Sequence, residues 1–444
     1  MISKKPESLP ERSSLMPEFH QDTLANGLRV ITVPMPHLHA AEMMFFFHVG
    51  SRHEAPEVAG VSHFLEHMVF RGNRDYPTGP DLERAFEAIG GYVNAATDIE
   101  TTCYHSRLHP AHLDKATELF ASMLLYPLLR DLDTERRVIL EEALEDLNEH
   151  GEEINPDTLC ARLLWPDHPL GRPPIGSRES IEAMRREDLE AHRARYYTPR
   201  NLVAVVAGRV EHADFVAAVE RHFGRWQGDC APPPLPFEAA GVRPGPHSRW
   251  VRDSGSQVSL QLAFRAPGRG DAGSLALRVL RRVLSGGGSA RLMLRLREEL
   301  GLTYGVEAQL MQTAETGALA IDLSLAPESL ERAVAEVLRL LDDLCAVPVP
   351  EEELAGVVRA FLYELEFSCD FTEELAARYG WGATVGNLRT LERERREVAA
   401  LTPEVLLQTA RAIFRPEALC LAVVGPWSED LKRRVTRLLK GFRS

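Results

Sequence analysis

Apolar positions along the chain alternate between two spacings. Residues 28–34 and 42–49 are runs of branched and aromatic side chains, the pattern of strands. Residues 59–70 and 79–89 repeat apolar positions every three to four residues, which predicts helices. Residues 101–108 read as another strand, followed by helices over 113–124 and 133–149. Further on, strands at 257–264 and 317–325 flank a helix near 275–284.

Between these two groups, residues 227–247 carry six prolines, which deny backbone donors and favour an extended linker. The segments before it and at the chain end look alike. Residues 195–226 and 411–442 each give a polar turn with proline, an apolar run ending in glycine, and an amphipathic helix. The two glycines, Gly208 and Gly425, stand 217 positions apart, which points to an internal duplication. The expected fold is α+β: two duplicated domains, each a mostly antiparallel sheet with helices packed on one face, joined by the Pro-rich linker. The expected boundaries are an N-terminal extension (1–20), a first domain (21–226), the linker (227–247) and a second domain (248–444).

The net charge of −14 argues against nucleic acid or an anionic membrane as partner. Six scattered cysteines without a CxxC pair argue against a disulfide framework or a Cys-based metal site. The first residues lack the apolar run of a secretory signal, and no stretch reaches membrane-span length, so a cytoplasmic location is expected.

The chemistry concentrates in His63-Phe64-Leu65-Glu66-His67. Residues i and i+4 of a helix share a face, so His63 and His67 can hold one ion, with Glu66 close enough to reach a water on it. This HxxEH order is that of the inverzincins. Paired surface histidines are the plainer reading. Against it, Val58, Val61, Phe64, Leu65, Met68 and Val69 surround the motif and imply a buried helix, where imidazoles need partners. A catalytic zinc takes three protein ligands and keeps an open position. Residues 135–142 begin a helix whose inward face is expected to include Val138 and Ile139. Glu142 and Glu135 fall on that face. A solvated acidic surface is the alternative, but a carboxylate among apolar neighbours favours Glu142 as ligand.

HFLEHMVFRGN (63–73) resembles the signature of the pitrilysin, insulinase and mitochondrial processing peptidase family. GGYVNAATDIETTCY (90–104) is similar to the family's edge-strand segment, and ERRVILEE (135–142) to its second acidic helix. GGGSARLMLRLREELGLTYG (286–305), HPLGRPPIG (168–176) and YYTPRNLVAVVAG (196–208) extend the likeness over most of the chain. The resemblance implies one Zn²⁺ per chain on His63, His67 and Glu142, with Glu135 as supporting carboxylate. It implies Glu66 as general base on zinc-bound water, and Asn94, Arg297 and Tyr304 as groups that hold the substrate backbone. The 21–226 domain is then the catalytic one, and 248–444 contributes substrate-binding residues.

The function so implied is a zinc-dependent endopeptidase cutting unfolded peptides or leader segments, which pair as an added strand along the edge near 94–101. Family members of this length form half of a clam-shaped chamber, so a homodimer is expected, or a heterodimer with a related subunit. The alternative is a non-catalytic assembly or binding subunit of the same family. Such subunits generally lose part of HxxEH or the third Glu, and this chain retains all four.

Overall fold

A computed structural model describes residues 18–238 and 243–443. Most of the expected N-terminal extension and four residues of the linker lie outside these. The first sheet contains β1 (His20–Thr23), β2 (Arg29–Pro34), β3 (Ala41–Phe47), β4 (Tyr92–Thr97), β5 (Thr102–Leu108) and β6 (Leu202–Gly208), in the order β1-β2-β6-β3-β5-β4. The second contains β7 (His247–Val251), β8 (Val258–Pro267), β9 (Thr303–Gln312), β10 (Thr316–Leu325) and β11 (Leu419–Val424), in the order β7-β11-β8-β10-β9.

The internal duplication is visible in the pairing. In each sheet the early strand runs parallel to the last one, β2 with β6 and β7 with β11, while every other pair is antiparallel. β6 ends at Gly208 and β11 just before Gly425, and these matched glycines have φ of 138° and 133°. A Cβ there would lie 2.3 Å from the Ala40 carbonyl oxygen or 2.6 Å from that of Gln257, so both positions require glycine. β3 and β6 are buried along their whole length because both sheet faces are covered; β6 reads as an unbroken apolar run, and β3 does so apart from Glu42, which pairs with His105.

The main helices of each half pack against their own sheet. In the first half these include α1 (Val61–Val69), α2 (Gly79–Glu87) and α3 (Leu113–Leu125), while α4 (Leu132–Ala143) packs on α1 and adds Ile139 to the same apolar core. The second face of each sheet is covered from the other half. The helix Thr372–Thr384 crosses β3 and β6, and its Gly380 sits against Phe46 and Val205. Conversely, α5 (Pro156–Leu164) lies on β8 and β11. Pro156 and Thr372 stand 216 positions apart, so the duplicated element has been exchanged, and one apolar core runs through both halves.

Ion pairs also join the halves. Arg52 donates to Glu100 at 2.5 Å and to Glu315 at 2.5 Å, and Arg269 pairs with the same Glu100.

Two expected elements end early. The helix expected to run to residue 149 stops at Ala143, followed by a single 3-10 turn at Leu144–Asp146. The edge strand expected through 101 stops at Thr97, where the chain turns and Asp98 N–H donates to the Thr101 carbonyl. No helix among the described residues is long and apolar enough to cross a membrane.

Candidate metal centre

The site is built on α1, whose entry is fixed by Gly60 and Glu54. Gly60 caps the helix with φ 89°, and a Cβ there would lie 2.3 Å from the Ile175 carbonyl oxygen. The Glu54 carboxylate accepts from the N–H groups of Gly60 at 2.6 Å and Ser62 at 2.8 Å, answering donors that a helix start leaves unpaired. Burial nevertheless pushes the Glu54 carboxyl up to about 7, against those hydrogen bonds and the nearby Arg172. From the helix 186–196, buried His192 meets Ser62 Oγ at 3.1 Å.

One turn apart on α1, His63 Nε2 and His67 Nε2 face each other at 3.2 Å. Glu142, on α4, brings one carboxylate oxygen to 3.6 Å from His63 Nε2 and the other to 3.6 Å from His67 Nε2. These three residues offer donor atoms all within 4.8 Å of one another. A tetrahedral zinc with ligands at about 2.0–2.1 Å separates its donors by about 3.3 Å. The donor types and spacing therefore fit zinc. Burial and the neighbouring His67 lower His63 to about 4, which keeps its imidazole neutral and its lone pair available.

His67 is held from behind. Its Nδ1 lies 2.9 Å from Glu135 Oε1, and Arg71 Nε stands 3.4 Å from the other Glu135 oxygen. Burial disfavours charge on His67, but the Glu135 hydrogen bond and the carboxylates of Glu66, Glu135 and Glu142 outweigh it and raise its pKa. Such a carboxylate behind an imidazole fixes which ring nitrogen points forward. His63 Nδ1 is buried without a hydrogen-bond partner among the described residues.

α4 does not present the face expected of it. Val138 is 48 % exposed, and the buried positions are Glu135 and Ile139. Glu135 and Ile139 are the inward residues of α4, Val138 faces solvent, and Glu142 reaches the two α1 imidazoles from the partly exposed end of the helix. Glu142 accordingly keeps 45 % of its side chain exposed. It is a half-exposed carboxylate, not one stranded among apolar groups.

Glu66 is 9 % exposed and accepts a hydrogen bond from Thr97 Oγ1 at 2.8 Å. Burial pushes its carboxyl up, Thr97 and His67 oppose this, and the charge on Glu142 adds to it. Thr97 was not among the residues expected here. Its only signal was alternation: on β4, residues 93, 95 and 97 face α1. By the same alternation Asn94 points to the other side. It is exposed, and its Oδ1 accepts from Ala95 N–H at 2.9 Å, so the structure does not bring it to the cluster. Among the described residues β4 pairs only with β5, which leaves its other edge free beside the site.

Arg297 and Tyr304 do meet each other. The guanidinium lies 5.0 Å from the centre of the Tyr304 ring, and that ring is 87 % exposed at the start of β9. Neither makes a hydrogen bond or ion pair to His63, His67 or Glu142 among the described residues.

Comparison with known proteins accords with this layout. Residues 29–177 match the insulinase (peptidase family M16) domain, and residues 183–361 match the peptidase M16 inactive domain. A Mycobacterium tuberculosis protein named an uncharacterized zinc protease is 34 % identical, over 94 % of this chain and 96 % of its own length. The fold is shared with a protease from Helicobacter pylori (TM-score 0.85, 22 % identity, 93 % of this chain and 100 % of that one). It is also shared with a peptidase M16 inactive domain structure from Pseudomonas fluorescens (TM-score 0.83, 22 % identity, 92 % and 98 %). With its HxxEH helix in the half that matches the insulinase domain, the chain belongs to the peptidase M16 (insulinase) family.

Proposed function

We propose that this chain is a zinc-dependent endopeptidase acting on extended, unfolded peptide segments. The observation that carries the reading is the convergence of His63, His67 and Glu142 beside a buried carboxylate, Glu66, at the free edge of β4. Zinc held there supplies a Lewis acid that makes hydroxide available near neutral pH and draws electron density from a carbonyl.

The chain's own residues do the rest. The free edge of β4 offers backbone donors and acceptors to a peptide laid alongside as an added strand, which selects unfolded segments. Glu66 takes a proton from the attacking water and returns it to the leaving amine, and its raised pKa suits that exchange. Glu135 keeps the His67 ring in one orientation.

The reading includes a two-chain assembly. Arg297 and Tyr304 stand together but apart from the cluster in their own chain, so a second copy is the natural source of a backbone clamp at each site. The cluster is confined to the half that matches the insulinase domain, as a single catalytic half requires.

The test is digestion of a mixed peptide library by zinc-loaded protein, with and without chelator. Cleavage that chelator abolishes and zinc restores supports the reading. A chain that binds one zinc and leaves every peptide intact is a binding subunit instead.

A further inference from the structure

Beyond the end of β4 lies a cavity of about 900 Å³ that the proposed chemistry does not use. It is bounded by β9, by the helices 274–285 and 372–384, and by Asp98, the residue that follows β4. Six arginines line it, Arg269, Arg278, Arg281, Arg282, Arg378 and Arg389, against three acids, Asp98, Glu307 and Glu394. In a chain with a net charge of −14, that concentration of guanidinium is not background.

Most of these arginines are tied to carboxylates, several of them shared. Arg278 and Arg378 both pair with the single buried Glu394, and Arg269 shares Glu100 with Arg52. Arg282 pairs with Glu364, and Arg389 with Glu397. Arg281 differs. It has no carboxylate within ion-pair distance among the described residues, and its Nη1 donates only to the Ala308 carbonyl, at 3.3 Å. It is half-buried between Arg278, one turn away, and Arg282. Burial and both neighbours disfavour its charge, with Glu307 and Glu364 acting the other way. Arg378 adds a buried Nε with no partner among the described residues. An arriving anion relieves both conditions.

The cavity is also held rigid. Arg278 and Arg282 lie over the Phe361 ring, at 5.2 and 4.6 Å, and Arg269 lies over Trp381 at 5.4 Å. Stacking fixes a guanidinium plane and leaves its N–H edge for a carboxylate.

We propose that this cavity is a subsite for the acidic side chains of a peptide, with Arg281 meeting the carboxylate. A peptide is favoured over a free anion by the two strands that frame the opening. A segment paired along β4 runs past Thr97 to Asp98, which is on the cavity wall, and the far wall is β9, the free edge of the second sheet. Leu310, Met311, Phe361 and Trp381 supply the apolar surface that a peptide stem needs. The inference rests on the peptidase reading and names the substrates that reading prefers, those with Asp or Glu flanking the cut.

The test measures binding, so it needs no turnover. Zinc-loaded Glu66→Gln protein is titrated by fluorescence anisotropy with labelled unfolded peptides bearing Glu at four positions, on one side of a constant centre and then the other. The same peptides with Gln replace them as controls. The Glu version on one side is expected to bind about tenfold more tightly, the scale of one charge-assisted contact. In an added Arg281→Gln the ratio falls toward one, and in Arg281→Lys part of it returns. Equal binding of Glu and Gln peptides on both sides overturns this proposal alone. Failure of every peptide to bind overturns the peptidase reading with it. Inorganic phosphate is the competing probe: saturable binding that Arg281→Gln removes, with no Glu preference, assigns the cavity to a free anion and overturns the peptide assignment.

Discussion

The hydroxyl of Thr97 donates to Glu66 Oε2 at 2.8 Å and so joins α1 to the strand edge along which a peptide is proposed to pair. Thr97 makes no hydrogen bond to His63, His67 or Glu142 among the described residues; it holds the carboxylate of Glu66 in one orientation. Replacing it with Val keeps the branched shape suited to a strand and removes the donor. A hydrogen bond to a charged group is worth about 1.5–3 kcal/mol, so kcat in Thr97→Val is expected to fall about tenfold or more. KM should change little, and Thr97→Ser should restore most of the rate. A loss in KM alone, or no rescue by Ser, would make Thr97 a strand residue only.

Glu142 and Glu135 should separate in a zinc titration against a chromophoric chelator. Glu142→Ala removes one of three donors and is expected to abolish one-to-one binding. Glu135→Gln leaves the donors in place but weakens the support behind His67, and the expected loss of affinity is about 10- to 100-fold. Glu66→Gln should keep full zinc affinity while turnover falls by orders of magnitude. Unchanged zinc affinity in Glu142→Ala would remove Glu142 from the ligand set.

How far the site could be read in advance depended on how local its causes are. His63 and His67 are four residues apart on one helix, so their meeting follows from helix geometry alone. Glu142 is indicated by two arguments, its apolar neighbours and the motif likeness, and the first does not hold, since Val138 faces solvent. Thr97 depends on β4 lying beyond β5 at the sheet edge, and strand order is set by long-range pairing that no local pattern encodes. The exchange of α5 and the helix 372–384 was equally hidden. An apolar helix face shows that something covers it, not which of two similar sheets does.

Glu54 makes the stability of the fold depend on pH in a defined direction. Its carboxyl titrates near 7 in the folded chain, against an ordinary value of 4.5. Between those values the folded state holds a proton that the unfolded state has released. Stability contributed by this group therefore falls as pH rises through that window. Glu54→Gln removes the proton and should flatten the slope. In urea unfolding of the metal-free protein at pH 5 and pH 7.5, wild type is expected to lose more stability between the two than the variant. Parallel losses would show that Glu54 ionises normally in the fold.

Gly380 tests whether the exchanged helix joins the two halves into one cooperative unit. A Cβ at this position would lie 2.6 Å from both Phe46 Cε2 and Val205 Cγ1, on the outer face of the first sheet. Gly380→Ala gains helix propensity of about 0.8–1.0 kcal/mol but overfills the contact, at a cost of about 1–3 kcal/mol. The cost exceeds the gain by about 0–2 kcal/mol, so a fall in the urea midpoint is expected. Gly380→Leu has no such compensation: the helix must lift from β3 and β6, exposing Phe46 and Val205. The unfolding curve of that variant should separate into two transitions, one for each half, where wild type is expected to show one. A single transition with an unchanged midpoint would mean that the helix contributes nothing to holding the halves together.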